Sequence, residues 1–334
     1  MFMQKKKNKG AFDNGSLKIL NKKFLVTGGA GFLGSHMCDA LVNQGASVIC
    51  VDDLSNGKLA NVTHLKNNRQ FKFYKKNVND IKQLQPVFKR ERPDYVMHYA
   101  AMVGVKRTAN NPLAVFEDIE GIKNIAGCSK QYQVKKILFT SSSEVYGEPV
   151  KLPIAEDDTF NGRWPYSLVK ILGEQYFQAY YETYGIPVTI VRFFNVYGPR
   201  QDFGDSGFVV SIFLRNGLAG KPLLIYGDGG QTRDFVYVDD NIRLTLQAFL
   251  SDKANGRPMN IGSGHSMRII DLADAVKKKF PKVKILFQPA RNKGEIKYRT
   301  PDVSFMKKML KDEPQVSLAE GLDKTLASLQ SKRQ

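Results

Sequence analysis

The chain has 334 residues, 42% of them hydrophobic and 25% charged, which supports a packed core and excludes disorder as the main state. That length exceeds one average domain but suits a single large α/β unit with a second lobe built onto it. Fifty Lys and Arg against 32 Asp and Glu leave a formal charge of +18, favouring polyanions, anionic membrane surfaces or phosphorylated small molecules as partners.

Residues 1–22 read as a basic, flexible tail. No apolar run of signal-peptide length follows its cations, and no later segment approaches the span of a bilayer. Cys38, Cys50 and Cys128 are widely spaced with no CxxC pair, which suggests neither a disulfide framework nor a zinc knuckle. These features predict a cytoplasmic protein with no membrane partner and no metal. Zinc-finger spacing and basic stretches joined to heptads are also missing, so no nucleic-acid partner is expected.

After the tail, Lys23 to Thr27 is a β-rich run that passes at once into Gly28-Gly29-Ala30-Gly31-Phe32-Leu33-Gly34 and then a helical stretch ending near Gly45. Ser47 to Val51 is a second buried-type strand, closed by Asp52 and Asp53. Tyr95 to Tyr99, Lys136 to Thr140 and Val188 to Phe193 continue the alternation. Pro112 to Lys130 and Tyr166 to Tyr184 show helical spacing of apolar residues. The whole is the pattern of an α/β doubly wound parallel sheet. From about Pro199 the rhythm loosens into a polar, glycine-rich loop, a helix at Phe208 to Gly217, a strand at Leu223 to Tyr226 and a turn at Gly227 to Gly230. A helix at Ile270 to Phe280, a strand at Lys284 to Gln288 and amphipathic segments to Leu329 complete it. The expected division is a dinucleotide-binding domain over residues 23–198, to which later segments return, and a smaller carboxy-terminal α/β lobe over residues 199–330.

The glycine run joins a strand to a helix, and an acidic residue follows about twenty positions later, which together point to a dinucleotide. Glycine allows the sharp turn and the approach of a pyrophosphate to the helix amino terminus, where free N–H groups favour negative charge. Asp52 is placed to accept hydrogen bonds from both hydroxyls of an adenosine ribose and to repel a 2′-phosphate, so NAD is favoured over NADP. The expected cofactor-binding residues are Gly28, Gly31, Phe32, Leu33, Gly34, Asp52 and Asp53.

Tyr166 and Lys170 lie four residues apart on one helix face. An ammonium beside the phenol and a positive nicotinamide ring both favour phenolate, making Tyr166 a base for a sugar hydroxyl as hydride leaves the same carbon. Just before, Thr140-Ser141-Ser142-Ser143-Glu144-Val145-Tyr146-Gly147 puts hydroxyls and a carboxylate after an apolar strand, where open α/β sheets bind ligands. Ser142 is a candidate to hydrogen-bond the reacting oxygen, and Glu144 a candidate second acid or base. A plain helix-capping role for both is the alternative.

From about Lys23 to Leu329 the chain resembles the extended short-chain dehydrogenases, in their nucleotide-sugar epimerase, dehydratase and decarboxylase branch. The resemblance rests on the glycine fingerprint, on Tyr166 with Lys170, and on His98-Tyr99-Ala100-Ala101, which is similar to the family's cofactor-wall segment. It rests also on Arg192-Phe193-Phe194-Asn195-Val196-Tyr197-Gly198-Pro199-Arg200 and on the run from Gly227 to Asp240. It implies a Rossmann fold in which Ala100, Ala101, Tyr166 and Lys170 join the NAD site and NAD oxidises a sugar at C4. It further implies that Ser143, Asn195, Arg233 and Arg291 hold the nucleotide sugar, a UDP-sugar being the commonest. Lys293 competes with Arg291, because Arg291-Asn292-Lys293-Gly294-Glu295 is one residue longer than the family's segment. The chain departs from the family at Asn77 and Asp118, where Asp and Asn are usual. A homodimer, paired through the helices at 112–130 and 166–184, is also implied.

Three reactions share the C4 ketone: 4-epimerisation, 4,6-dehydration and loss of a C6 carboxylate as CO₂. Epimerisation needs no acid at position 144, and dehydration usually shows Asp where Ser143 stands. The Ser143-Glu144 pair resembles that of UDP-glucuronate decarboxylases, whereas Val103-Gly104-Val105-Lys106-Arg107-Thr108 resembles the substrate loop of uronate 4-epimerases. In that loop Lys106 and Arg107 are candidates to meet a uronate carboxylate. Decarboxylase and epimerase stand nearly level, with dehydratase behind. A catalytically silent NAD-binding regulator is the reading from a different class.

Overall fold

The computed structural model describes residues 19–204, 207–290 and 296–331; the side chains of Val105 and Lys106 lie outside this set. Arg291 and Lys293 therefore also lie outside the described residues. Seven strands form the main sheet: β1 (Lys23–Thr27), β2 (Ser47–Val51), β3 (Phe71–Tyr74), β4 (Tyr95–His98), β5 (Lys136–Ser142), β6 (Val188–Phe193) and a late arrival at Pro258–Ile261. The spatial order runs from that late strand through β6, β5, β4, β1 and β2 to β3, with every pairing parallel. A parallel sheet is covered on both faces, which is why its strands are nearly continuous apolar runs.

Along β1, Phe24 and Val26 face one core with Met37, Cys38 and Leu41, while Leu25 faces the other with Val96, Phe139 and Phe177. Helices Phe32–Asn43 and Val238–Leu250 cover the first face. Helices Ile81–Glu91, Asp118–Gln131 and Pro165–Tyr184 cover the second. The strand order reverses between β1 and β4, the place where such sheets open a crevice at their carboxyl ends.

Two smaller sheets follow. In one, β7 (Asn195–Tyr197) pairs with β9 (Thr232–Tyr237), which pairs in turn with β11 (Ser266–Arg268); in the other, β8 (Leu223–Tyr226) pairs with β12 (Ile285–Gln288). The Pro258–Ile261 strand, β10, falls between β9 and β11 in sequence but belongs to the main sheet. The first core continues without a break through Tyr197, Phe213, Ile225 and Val276.

One expectation needs correcting. The tail was read to residue 22, yet Ile19 is fully buried in the first core and the Asn21 amide donates to the Gly45 carbonyl at 3.0 Å. An isoleucine just ahead of β1 is drawn into the first core by its own apolar surface, so the ordered fold begins before the first strand.

Candidate active site

The nucleotide cradle begins where β1 ends. Gly28 has φ +64°, and a Cβ there would stand 2.8 Å from the Ala100 amide nitrogen, so only glycine lets the loop pass against the segment after β4. A Cβ on Gly34 would overlap the Gly28 carbonyl. The helix Phe32–Asn43 thus starts hard against the loop, with Gly31 as an N-cap that makes no side-chain bond. Its first amides, those of Phe32, Leu33 and Gly34, have no acceptor inside the helix and suit an anionic group.

Asp52 directly follows β2 and is almost wholly buried. Its Oδ2 accepts from the Ala30 amide at 2.9 Å and its Oδ1 from the Leu54 amide at 2.8 Å. Burial raises its pKa, and these two amides oppose the rise. About four acceptor positions exist on a carboxylate, so Asp52 organises the loop and keeps capacity for ribose hydroxyls. Asp53 instead closes a local turn, accepting from the Ser55 amide at 2.9 Å and the Ser55 hydroxyl at 2.6 Å. Ala100 donates its amide to Thr27 Oγ1 at 3.2 Å, and Ala101 follows it along the wall. The uncapped helix start, the side-chain-free cradle and the buried carboxylate together fit NAD.

At the end of β5, Ser142 accepts from the Glu144 amide at 3.2 Å and so caps the short helix Ser143–Tyr146. It also lies close enough to the Tyr166 phenol to lower its pKa. Capping and a role at the reacting oxygen are thus compatible in one residue. Lys170 is buried, donates to the Thr140 carbonyl at 2.8 Å, and stands 5.7 Å from the centre of the Tyr166 ring. Burial pushes the Lys170 pKa down to about 8, against the upward pull of Asp118 and Glu174. For Tyr166 the protein alone acts opposite to expectation: burial and the Glu144 charge raise its pKa well above the usual phenol range, only partly countered by Ser142. The chain by itself keeps Tyr166 a phenol, and the positive charge of the bound cofactor has to bring the phenolate within reach.

Asp118 acts by its charge on both members of this pair. Its Oδ2 accepts from the Met102 amide at 2.7 Å, and burial raises its pKa against the influence of that amide and of Lys170. Asn77 accepts from the Asn79 amide at 2.8 Å. Both departures from the family pattern therefore hold backbone around the crevice.

The sequence reading missed Arg299. It is 4% exposed, and its Nη1 donates to Glu144 Oε1 at 2.7 Å and to Ser143 Oγ at 3.4 Å. Its Nε is a buried donor with no partner. Burial would raise the Glu144 pKa, but Arg299, helped by Arg233, outweighs it and holds Glu144 below the usual carboxylate range. Glu144 is therefore a carboxylate at neutral pH. Arg233 lies on β9 and donates to the Thr232 carbonyl at 2.8 Å, while Asn195 at the start of β7 carries a buried side-chain oxygen without a partner. Arg107 departs from its expected direction: it donates to the Asn56 side chain and, at 3.0 Å, to the Val103 carbonyl. Among the described residues no cluster of His, Cys, Asp and Glu suits a metal ion, and no helix is long and apolar enough to cross a membrane.

A doubly wound sheet that carries a glycine cradle, a buried carboxylate after its second strand and a Ser-Tyr-Lys set near its strand ends defines an enzyme of the extended short-chain dehydrogenase class. Residues 24–262 match the NAD dependent epimerase/dehydratase family. The chain is 36% identical over 320 residues to the UDP-N-acetyl-alpha-D-glucosaminuronate decarboxylase of Bacillus cytotoxicus, covering 92% of this chain and 97% of that protein. It is 35% identical over 318 residues to the UDP-glucose 4-epimerase of Mycolicibacterium smegmatis, covering 93% and 99%. Among solved structures, the UDP-glucose 4-epimerase of Thermotoga maritima with UDP-glucose superposes with a TM-score of 0.87 at 36% identity, covering 93% of this chain and 100% of that one. This chain belongs to the NAD dependent epimerase/dehydratase family and is an NAD-dependent enzyme.

Proposed function

We propose that this enzyme decarboxylates a UDP-linked uronate, oxidising C4 and releasing C6 as CO₂. The observation that carries the reading is Arg299: a buried guanidinium that fixes Glu144 as an anion, touches Ser143 and retains an unpartnered Nε donor. A planar guanidinium matches a carboxylate, and among the candidate substrates only a uronate carries one at C6. Dehydration needs a general acid for the departing hydroxyl, and Ser143, which stands where Asp is usual, is a poor one.

The residues act as follows. Ser142 and Tyr166 share the C4 hydroxyl, and Tyr166 takes its proton. Bound NAD supplies acceptance of the C4 hydride and its later return. Arg299 orients the C6 carboxylate, and Glu144 accepts a hydrogen bond from the sugar. The C5–C6 bond of the β-keto acid then breaks, its electron pair passes into the C4 carbonyl as an enolate, and C5 regains a proton. Asn195 and Arg233 hold the diphosphate, and the lobe after Pro199 grips the nucleotide. Arg291, Lys293 and Lys106 retain the roles expected of them from the sequence.

The test is incubation with NAD⁺ and UDP-glucuronate or UDP-N-acetylglucosaminuronate, following CO₂ and product mass. A product lighter by one CO₂ supports the proposal. An isomer of unchanged mass would make the enzyme a 4-epimerase, the second reading, which the 35% identity to the Mycolicibacterium smegmatis epimerase favours.

The pairing of two copies is part of the same proposal: Leu113, Trp164, Leu168 and Leu172 are exposed on and beside the two helices expected to pair. Three unpaired cysteines, all buried, agree with a reducing cytoplasm.

A further inference from the structure

In the main sheet β1 is flanked by β2 on one side and β4 on the other. The loop after β2 and the loop after β4 are therefore not neighbours in the sheet, and a bond between them has to pass over the carboxyl end of β1. The glycine cradle sits there.

Arg107 makes that bond. From the short helix Val105–Asn110 beyond β4, its Nη1 donates to the Asn56 side-chain oxygen and also to the Val103 carbonyl at 3.0 Å. Asn56 in turn belongs to a loop already tied to the cradle. The Lys58 amide donates to the Ala30 carbonyl at 3.0 Å, and Asn61 Nδ2 donates to the same carbonyl at 2.9 Å. A Cβ on the intervening Gly57 would stand 2.7 Å from both oxygens of Asp52. The β2 side of the crevice is thus anchored, and Arg107 is the link that closes it from the β4 side.

We infer that Arg107 and Asn56 form a strap across the dinucleotide crevice that retains NAD between turnovers. The chemistry gives it a purpose, since an enzyme that withdraws hydride and returns it within one cycle gains from a cofactor that does not leave. A guanidinium suits the task because it is always charged and its terminal Nη1 carries two N–H donors, one for a carbonyl and one for an amide oxygen. Release of the dinucleotide then requires the Arg107 to Asn56 bond to open.

The experiment loads wild type, Arg107→Ala, Asn56→Ala and the double variant with NADH, then follows loss of bound NADH fluorescence on a chase with excess NAD⁺. Either single variant is expected to release NADH about tenfold faster or more, the size expected for loss of a hydrogen bond to a charged group. The double variant should release no faster than the quicker single one, because both remove the same bond. Release rates within twofold of wild type, or effects that multiply in the double variant, would overturn the strap. Asn56 lies on a loop outside the core, so its variant keeps the test valid if Arg107→Ala disturbs the β4 loop. A lower melting temperature of the cofactor-free variants with unchanged release would reduce Arg107 to a loop brace and overturn it as well.

Discussion

At the scale of single residues, the proposed role of Lys170 carries a pH dependence. Burial lowers its pKa to about 8 while Asp118 and Glu174 pull it upward, so its positive charge is present below that pH and lost above it. Turnover should fall as pH rises through about 8, because a neutral Lys170 no longer favours the Tyr166 phenolate. Asp118→Asn removes one of the upward influences but keeps an acceptor for the Met102 amide, so the alkaline limb of kcat/KM should move to lower pH; a limb that stays put would mean Asp118 acts only on backbone. Tyr166→Phe should lower kcat by about 10²- to 10⁴-fold, the usual worth of a positioned acid-base group, in a stopped assay of CO₂ release. Arg299→Lys keeps the charge and loses the fork, and should lower kcat/KM for a uronate. Most of this site was legible in the sequence because its parts sit in compact runs: Gly28 to Gly34, Ser142 to Glu144, Tyr166 with Lys170. Arg299 was not, since its partner Glu144 is 155 residues away and no local pattern marks it.

At the scale of elements, legibility followed chemistry in the same way. Strands β2, β6 and β8 fall where the sequence put them, because uninterrupted runs such as Ser47 to Val51 and Val188 to Phe193 have few other uses. β3 alternates Phe and Lys over only four residues, and β10 opens with a proline and holds a buried asparagine; both are recognisable only through the neighbour they pair with. Between elements, the buried pair of Arg192 on β6 with Glu174 on the helix Pro165–Tyr184, at 2.6 Å, joins strand to helix. Glu174 also meets Ser141, and Arg192 donates to Tyr146 at 2.8 Å. Glu174→Ala leaves a guanidinium buried without its counterion and should cost about 3–5 kcal/mol, read by urea unfolding. At the cradle, Gly34→Ala drives a methyl into the Gly28 carbonyl and should cost about 1–3 kcal/mol as well as NAD affinity, measurable by titration with NADH.

At the scale of the whole molecule, the proposed pairing makes its own prediction. Leu168 and Leu172 are one turn apart on the helix Pro165–Tyr184, and both are exposed. Leu168→Glu with Leu172→Glu should convert a dimer into a monomer by light scattering at micromolar concentration, while a wild-type protein that is already monomeric would dispose of the interface. The last strand of the main sheet bears on how the chain is made. Residues 258–261 lie beside residues 190–193, so during synthesis some 65 residues, including β7 to β9, leave the ribosome while the edge of β6 is still bare. An open apolar strand edge invites pairing with other chains. A fragment stopped near residue 198 is therefore expected to aggregate, and the growing chain needs either speed or a chaperone until Pro258–Ile261 emerges to close the sheet.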